Sequence, residues 1–150
     1  MVNDGGSYSF TVAEGGNYTI TPTKSGYTFT PSSRTFNNVT SNQTQNFTAN
    51  VITYTISGTV SGADGVTITL SGDTSGSLVV NDGGSYSFTV AEGGNYTITP
   101  TKSGYTFTPS SRTFSNVTAD QIQNFTSIHI TYTISGTVSG ADGVTVTLSG

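Results

Sequence analysis

The sequence contains no cysteine, no tryptophan and a single histidine among its 150 residues. Without cysteine there is no disulfide framework, no thiolate nucleophile and no thiolate metal ligand. A Ser-His-Asp triad needs a histidine beside its nucleophile, but His129 is replaced by Val51 in the other copy of the internal repeat described below. We therefore interpret His129 as part of a connection between domains, and we predict no catalytic residue, no cofactor and no enzymatic activity.

Charged residues are scarce as well. They make up 8% of the chain, against roughly a quarter in an average globular protein, and the formal net charge is −4. Such a chain lacks the basic surface that binds nucleic acid or an anionic membrane. It also lacks an apolar run long enough to insert into a bilayer. Met1 is followed by Val2, Asn3 and Asp4, so no signal peptide is expected at this start.

Repetition is the abundant feature. Residues 2–72 reappear as residues 80–150, a period of 78 residues with eight differences. Four of these differences are Asn37/Ser115, Thr44/Ile122, Val51/His129 and Ile68/Val146. A near-exact period of this length indicates a repeated domain of the size of a small β-sandwich.

The pattern within one unit is typical of β-strands. Apolar and polar residues alternate over residues 53–60, 66–70, 85–90 and 95–100, and shorter runs cover residues 78–80, 113–117 and 122–126. Asn-Asp-Gly-Gly at residues 81–84 is a strong turn signal. Residues 102–111 are ambiguous, because Pro100 and Pro109 bracket them and favour an edge strand or an irregular crossing. The pattern predicts an all-β fold of tandem sandwiches with about seven strands each.

Three segments carry a resemblance to a known family. Residues 56–70 read Ile-Ser-Gly-Thr-Val-Ser-Gly-Ala-Asp-Gly-Val-Thr-Ile-Thr-Leu, and residues 84–88 and 102–109 read Gly-Ser-Tyr-Ser-Phe and Lys-Ser-Gly-Tyr-Thr-Phe-Thr-Pro. The chain resembles the bacterial carboxypeptidase-regulatory-like repeats, which are prealbumin-like, Ig-type sandwiches related to adhesin B-type repeats. The resemblance implies a stalk or spacer module of an extracellular or cell-surface protein. The adhesin relatives often carry a Lys–Asn isopeptide bond, but Lys24 and Lys102 lie in a turn region and not on the first strand, so none is expected here.

For two further groups of residues, the sequence is compatible with either a binding site or an ordinary structural role. Asp4 and Asp82 are weak calcium candidates, since a carboxylate in a glycine-rich turn suits Ca²⁺, but one carboxylate per loop is more typical of turn chemistry. We therefore predict no metal site. Tyr27 and Tyr105 could present aromatic rings to a glycan ligand, although packing at the edge of the core is the more common role of such tyrosines.

The phase of the repeat divides the chain unevenly. We predict that residues 51–128 form a complete sandwich, that residues 1–50 hold about five strands of a split sandwich, and that residues 129–150 hold its first two strands. Neither fragment can close a sandwich alone. Seven strands would place the two ends of the complete unit at opposite poles, so the fragments would meet only between chains. If residues 105–108 formed an additional strand, closure within one chain would become feasible.

The expected function is therefore self-assembly. One chain's residues 129–150 would complete the sandwich of the next chain by strand complementation, and this head-to-tail contact would build a filament. A ring and a domain-swapped dimer are the alternatives for its form, and an adhesive or carbohydrate-binding module is the alternative function. The predicted interface pairs one set of apolar residues with another, namely Ile130, Tyr132, Ile134, Val138, Val144, Val146 and Leu148 with Tyr8, Phe10, Val12, Tyr18, Ile20, Phe36 and Phe47.

Overall fold

The computed structural model describes all 150 residues as thirteen β-strands joined by turns and loops, without a helix. No helix capable of spanning a membrane is therefore present. The strands are β1 (Tyr18–Ile20), β2 (Tyr27–Thr30), β3 (Arg34–Phe36), β4 (Thr48–Val51), β5 (Thr53–Ser61), β6 (Val66–Gly72), β7 (Gly76–Val80), β8 (Ser85–Ala91), β9 (Tyr96–Thr101), β10 (Tyr105–Thr108), β11 (Arg112–Phe114), β12 (Gln121–Ile122) and β13 (Phe125–His129).

Strands β5 to β13 form two sheets around one core. In the first sheet β5 is central, with β8 antiparallel on one side and β12 and β13 parallel on the other, and β10 forms the edge beyond β13. The second sheet has the order β11-β9-β6-β7 and is antiparallel throughout. The core residues come from both sheets: Ile56, Val60, Ala63, Val66, Ile68, Leu70, Val80, Tyr86, Val90, Tyr96, Ile98, Phe114, Val117 and Phe125.

Alternation explains why these strands form. In β6, Val66, Ile68 and Leu70 are buried, whereas Thr67 and Thr69 point to the outer face. Successive side chains of a strand point to opposite faces, so this sequence buries its aliphatic residues and leaves β-branched threonines on the pleated surface. The all-β class expected from the sequence is present.

The predicted count of about seven strands is wrong for this unit, which has nine. Residues 105–108 form a regular edge strand, β10, which pairs only with β13. The last predicted strand is divided into β12 and β13, because the chain leaves the ladder between Ile122 and Phe125. Edge strands tolerate nearby prolines because one side of their backbone needs no partner.

The first and last strands of this unit run in the same direction. Phe125 lies opposite Val60, and Thr126 lies opposite Ser61, in a parallel pair. The chain therefore enters the unit at one pole, beside Thr53, and leaves it at the other pole, beyond His129. The ends lie at opposite poles although residues 105–108 form a strand, because β13 runs parallel to β5 and not antiparallel to it.

Residues 1–51 contain two separate strand pairs. β1 pairs with β3, and β2 pairs with β4, which reproduces the β9–β11 and β10–β13 pairs of the complete unit 78 positions later. The sequence predicts about five strands here and two in residues 129–150, but four and none are formed. Residues 7–13, which correspond to β8, have no counterpart of β5 to pair with, and an unpaired strand leaves its backbone groups without partners.

Candidate assembly interface

The last twenty-one residues expose a row of apolar side chains. Ile134, Val138 and Leu148 are 86%, 58% and 85% exposed, whereas their counterparts Ile56, Val60 and Leu70 are at most 2% exposed. The predicted interface residues Ile130, Tyr132, Val144 and Val146 are exposed as well. The sequence of this segment is therefore that of a buried pair of strands, but it has nothing to bury itself against.

The first fifty residues also expose apolar side chains. Phe10 and Val12 are 70% and 42% exposed, and Tyr8 is also exposed, whereas Val90, the counterpart of Val12, is buried. The remaining predicted members of this surface are half-buried where their counterparts in the complete unit are buried; they are Tyr18, Ile20, Phe36 and Phe47. The two exposed surfaces correspond by position to the two parts of the core of the complete unit.

Tyrosine hydroxyls hold the incomplete half in its native arrangement. In the complete unit the Tyr86 hydroxyl donates to the Gln123 carbonyl at 2.6 Å, and burial raises the pKa of Tyr86 to about 12. Tyr8 makes the same bond to the Gln45 carbonyl at 2.5 Å. This bond holds the Tyr8 ring beside residues 43–47, as the equivalent bond holds Tyr86 in the complete unit.

Tyr18 shows the same preservation at the neighbouring turn. Its hydroxyl accepts from the Ala13 amide at 3.1 Å and contacts the Ala13 carbonyl at 3.2 Å. Tyr96 makes both contacts to Ala91 at the same distances. The turn that precedes β1 is therefore built like the turn that precedes β9.

Asp82 lies in the turn that links the two sheets and stabilises it by hydrogen bonds. Its carboxylate accepts from the Gly62 amide at 2.6 Å, and its own amide donates to the Asp64 carboxylate at 3.0 Å. Asn81 accepts from the Gly65 amide at 3.0 Å. These bonds use the side-chain oxygens that calcium would need, and no group of three acidic or histidine side chains occurs in the structure.

Asp4 corresponds to Asp82, but its partners differ. The counterparts of Asp64, Gly62 and Gly65 are Asp142, Gly140 and Gly143, which lie in the exposed terminal segment. The turn at residues 3–6 keeps only its own short-range bond, from the Gly6 amide to the Asn3 carbonyl at 2.9 Å. The groups equivalent to those that form the long-range hydrogen bonds of Asp82 therefore lie at opposite ends of the chain.

Two glycines mark where the strands come closest. A Cβ on Gly58 would overlap the backbone carbonyl of Gln123, and a Cβ on Gly72 would overlap that of Asn95. Their counterparts Gly136 and Gly150 have no atom within 4 Å of such a Cβ. The native packing therefore requires glycine at positions 58 and 72. No contact within the single chain requires glycine at positions 136 and 150.

Side-chain caps on β5 were not predicted from the sequence. The Thr55 amide donates to the Asp120 carboxylate at 2.8 Å, and the Thr59 amide donates to the Asn124 side-chain oxygen at 3.0 Å. These bonds supply partners where β12 and β13 leave the ladder. No local sequence signal marks them, because each joins residues 65 positions apart.

Tyr27 and Tyr105, the glycan candidates, are half-buried and covered. The Lys24 ammonium lies 4.2 Å from the centre of the Tyr27 ring. His129 packs edge-on against Tyr105, with ring centres 4.9 Å apart. His129 is the last residue of β13 and lies opposite Tyr105 in the strand pair, so it is not part of a connection between domains as the sequence had suggested.

Comparison with known proteins agrees with this architecture. A family model described as the BOS complex subunit NOMO1-like, second beta sandwich domain, matches residues 47–131. This match covers more than half of the chain and includes all nine strands from Thr53 to His129. The chain belongs to this family. The Ig-like β-sandwich expected from the sequence is thereby supported at the level of the fold.

A curated relative extends the similarity to almost the whole chain. Chitinase ChiA of Flavobacterium johnsoniae is 44% identical over 163 aligned residues, which include 99% of this chain. The chain spans about a tenth of the length of that relative. Among solved structures there is no significant match.

Proposed function

We propose that this 150-residue polypeptide is a structural repeat module that assembles head-to-tail by strand complementation. The observation that supports the proposal is that the two ends of the chain expose apolar residues whose counterparts in the complete unit are buried. Residues that are fully buried in the complete unit, such as Ile56 and Leu70, have exposed counterparts in Ile134 and Leu148. Burying one such side chain is worth about 1.5–3 kcal/mol, so several of them together favour docking.

The complete unit supplies the template for the docked strands. β5 pairs with β8 so that Ile56 lies opposite Phe88 and Tyr54 opposite Val90. The same register would place Ile134 of one copy opposite Phe10 of the next, and Tyr132 opposite Val12. Edge pairing of this kind gives the added strand both backbone hydrogen bonds and side-chain pockets.

The second strand of the docked segment would follow β6. β6 pairs with β9 so that Leu70 lies opposite Ile98 and Ile68 opposite Pro100. Residues 144–150 would accordingly lie against β1 with Leu148 opposite Ile20. The turn network would be completed at the same time, because Gly140 and Asp142 would meet Asp4 as Gly62 and Asp64 meet Asp82.

The partner is a second copy because one chain cannot bring its own two halves together. The connections to the complete unit begin at its opposite poles, since β5 and β13 are parallel. Only Ile52 separates β4 from β5, so the first half has no slack with which to reach the far pole. A contact between unlike surfaces extends into a filament unless its rotation closes a ring.

A capping peptide tests this proposal. A synthetic peptide of residues 130–150 presents only the added strands, so it should bind the open end and shorten the assemblies in proportion to its concentration. The matched control carries Gly136→Ala, which would place a methyl group against the Gln45 carbonyl. Equal effects of the two peptides, or no effect of either on particle length, would contradict strand complementation.

In a longer protein the same module would act as a spacer. The resemblance to carboxypeptidase-regulatory-like, prealbumin-like repeats supports tandem sandwiches, in which residues 51–128 are one domain and the two terminal segments are parts of neighbouring units. The similarity to part of a chitinase supports an extracellular or cell-surface setting for such an array. We infer a non-enzymatic role because the acidic residues lie in turns and loops, and the one histidine, His129, ends β13 apart from them.

Carbohydrate binding is the second candidate, and the chitinase relative is the observation that favours it. Tyr27 and Tyr105 remain the residues to test, although lysine and histidine side chains cover part of their rings. Pull-down on insoluble chitin separates the two functions. Binding that is lost in Tyr105→Ala but kept in Gly136→Ala would favour the glycan role over assembly.

A further inference from the structure

Ile52, the residue between β4 and β5, is held on both sides by backbone hydrogen bonds. Its amide donates to the Gly26 carbonyl at 2.9 Å, and its carbonyl accepts from the Glu92 amide at 2.9 Å. Gly26 belongs to the turn before β2, and Glu92 belongs to the turn after β8. One residue therefore ties a turn of the first half-sandwich to a turn of the complete unit.

The turns themselves come close at this junction. A Cβ on Gly26 would lie 3.9 Å from the Glu92 carbonyl oxygen, which is ordinary van der Waals contact. Flexible linkers between domains are usually several polar residues long and make few contacts with either domain. The junction at Ile52 has neither property, so neighbouring units are fixed in orientation.

Half of this junction recurs at Ile130. Its amide donates to the Gly104 carbonyl at 2.8 Å, as the Ile52 amide does to Gly26. The counterpart of Glu92 is Glu14, which lies in the incomplete half at the other end of the chain. In the single chain, the Glu14 amide makes no backbone hydrogen bond to Ile130.

We propose that the Ile130 carbonyl accepts a hydrogen bond from the Glu14 amide of a second copy, so that joints between copies are as rigid as the junction at Ile52. This inference rests on the proposed head-to-tail assembly and adds that the assembled particle is stiff. The assembly is then a stiff rod in which covalent and non-covalent joints alternate. The interface between copies includes the turn at residues 13–16 in addition to the docked strands.

The strand register gives the axial spacing of such a rod. Thr53 and Ser61 are eight residue steps apart in β5, Thr126 lies opposite Ser61, and Thr131 begins the next unit five steps later. At about 3.3 Å per step, successive units rise by about 40 Å, and successive copies, which contribute two units each, by about 80 Å.

A proline substitution can remove one hydrogen bond of the joint without disturbing its turn. Glu92 is followed by Gly93 with φ of +77°, and the Gly94 amide donates to the Ala91 carbonyl. Glu14 and Gly15 repeat this arrangement, with φ of +74° at Gly15 and a bond from Gly16 to Ala13. A turn with a left-handed glycine at its third position accepts proline at its second, so Glu14→Pro removes only the donor and the carboxylate.

Electron microscopy of the assembled 150-residue polypeptide tests the inference, with Glu14→Ala as the control for loss of charge. We expect straight filaments with a period of about 40 Å for the unaltered chain and for Glu14→Ala, and bends about 80 Å apart for Glu14→Pro. If Glu14→Pro fails to assemble while the unaltered chain and Glu14→Ala assemble, that result would also support a role of this amide in the joint. Straight Glu14→Pro filaments, or flexible filaments of the unaltered chain, would overturn the inference but leave strand complementation standing.

Complete absence of assembled particles, whether filaments or closed rings, would instead overturn the proposed function. The junction within one chain can still be examined in that case by amide hydrogen exchange. Slow exchange of the Ile52 and Glu92 amides is expected in the single chain, whereas rapid exchange of both would show that the junction is open and would overturn the inference as well.

Discussion

Gly58 and Gln123 lie in contact at the centre of the first sheet, so closely that a methyl group on Gly58 would overlap the Gln123 carbonyl. The counterpart of Gly58 is Gly136, where in the single chain a methyl group would have no atom within 4 Å. If the terminal segment docks as β5 does, Gly136 faces the Gln45 carbonyl of the next copy. Glycine is thus required for packing at position 58, and under the proposed assembly it is required for docking at position 136.

Gly136→Ala should therefore abolish assembly without altering the complete unit. The expected result is a monomer with unchanged thermal unfolding. Gly58→Ala is the matched variant, and it should destabilise the unit by several kcal/mol because overpacking must move backbone atoms. Sizing and circular dichroism of both variants check the prediction. Assembly of Gly136→Ala at the unaltered rate would show that the segment does not dock in the β5 register.

A second pair of matched substitutions separates the core from the interface. Leu70→Ala opens a cavity in the core and should cost about 2–5 kcal/mol in the free energy of unfolding. Leu148→Ala changes an exposed side chain, so the stability of the monomer should stay the same while association weakens. Chemical denaturation gives the first effect, and dilution-induced dissociation gives the second. A loss of monomer stability in Leu148→Ala would mean that this residue is already buried within one chain.

Asp120 should be replaceable by asparagine but not by alanine. Its carboxylate accepts from the Thr55 amide, and the counterpart of Asp120 in the other copy is Asn42, whose side-chain oxygen can accept the same bond. Asp120→Ala should cost about 1 kcal/mol, as expected for the loss of one hydrogen bond to a backbone amide. Asp120→Asn should retain most of the stability. Equal losses in the two variants would show that the carboxylate charge, and not the hydrogen bond, stabilises β5.

The stability of the complete unit should fall between pH 10 and 12. Burial raises the pKa of Tyr86 from 10.0 to about 12, so below pH 10 the phenol is protonated in both folded and unfolded chains and its contribution is fully present. Above pH 10 the unfolded chain ionises first, and the contribution is lost as the pH passes the folded pKa, a change of about 2–3 kcal/mol in all.

Tyr86→Phe is the control for this pH dependence. The variant lacks the group that ionises, so the difference in unfolding free energy between the two proteins should shrink as the pH rises from 10 to 12. Denaturation at a series of pH values measures it. A difference that stays constant across that range would show that Tyr86 ionises alike in both states.

Some of these features can be predicted from the sequence, and others cannot. The alternation of Val66, Ile68 and Leu70 with threonines was sufficient to place β6 and its buried face, because burial on one side of a sheet follows period two. The division of the last strand was not predictable, since the bond from Thr59 to Asn124 that replaces the ladder joins distant residues. Proline beside residues 105–108 obscured β10, because proline excludes central strands but not edge strands.

The interface shows the same limit. The repeat identified both apolar surfaces, including Ile134 and Phe10, because each residue has an apolar counterpart in the complete unit, identical except for Val146, which corresponds to Ile68. It did not identify Gly136 or Glu14, whose proposed roles depend on how closely two backbones approach. Such contacts follow from the three-dimensional register, and a one-dimensional pattern carries no information about them.

Sedimentation velocity of the 150-residue polypeptide over a wide range of concentrations tests the central claim most directly. Head-to-tail strand complementation predicts a mean particle mass that grows continuously with concentration from the 15.5 kDa chain, with no preferred closed size. A single 15.5 kDa species at every concentration, up to the highest that can be reached, would contradict the claim.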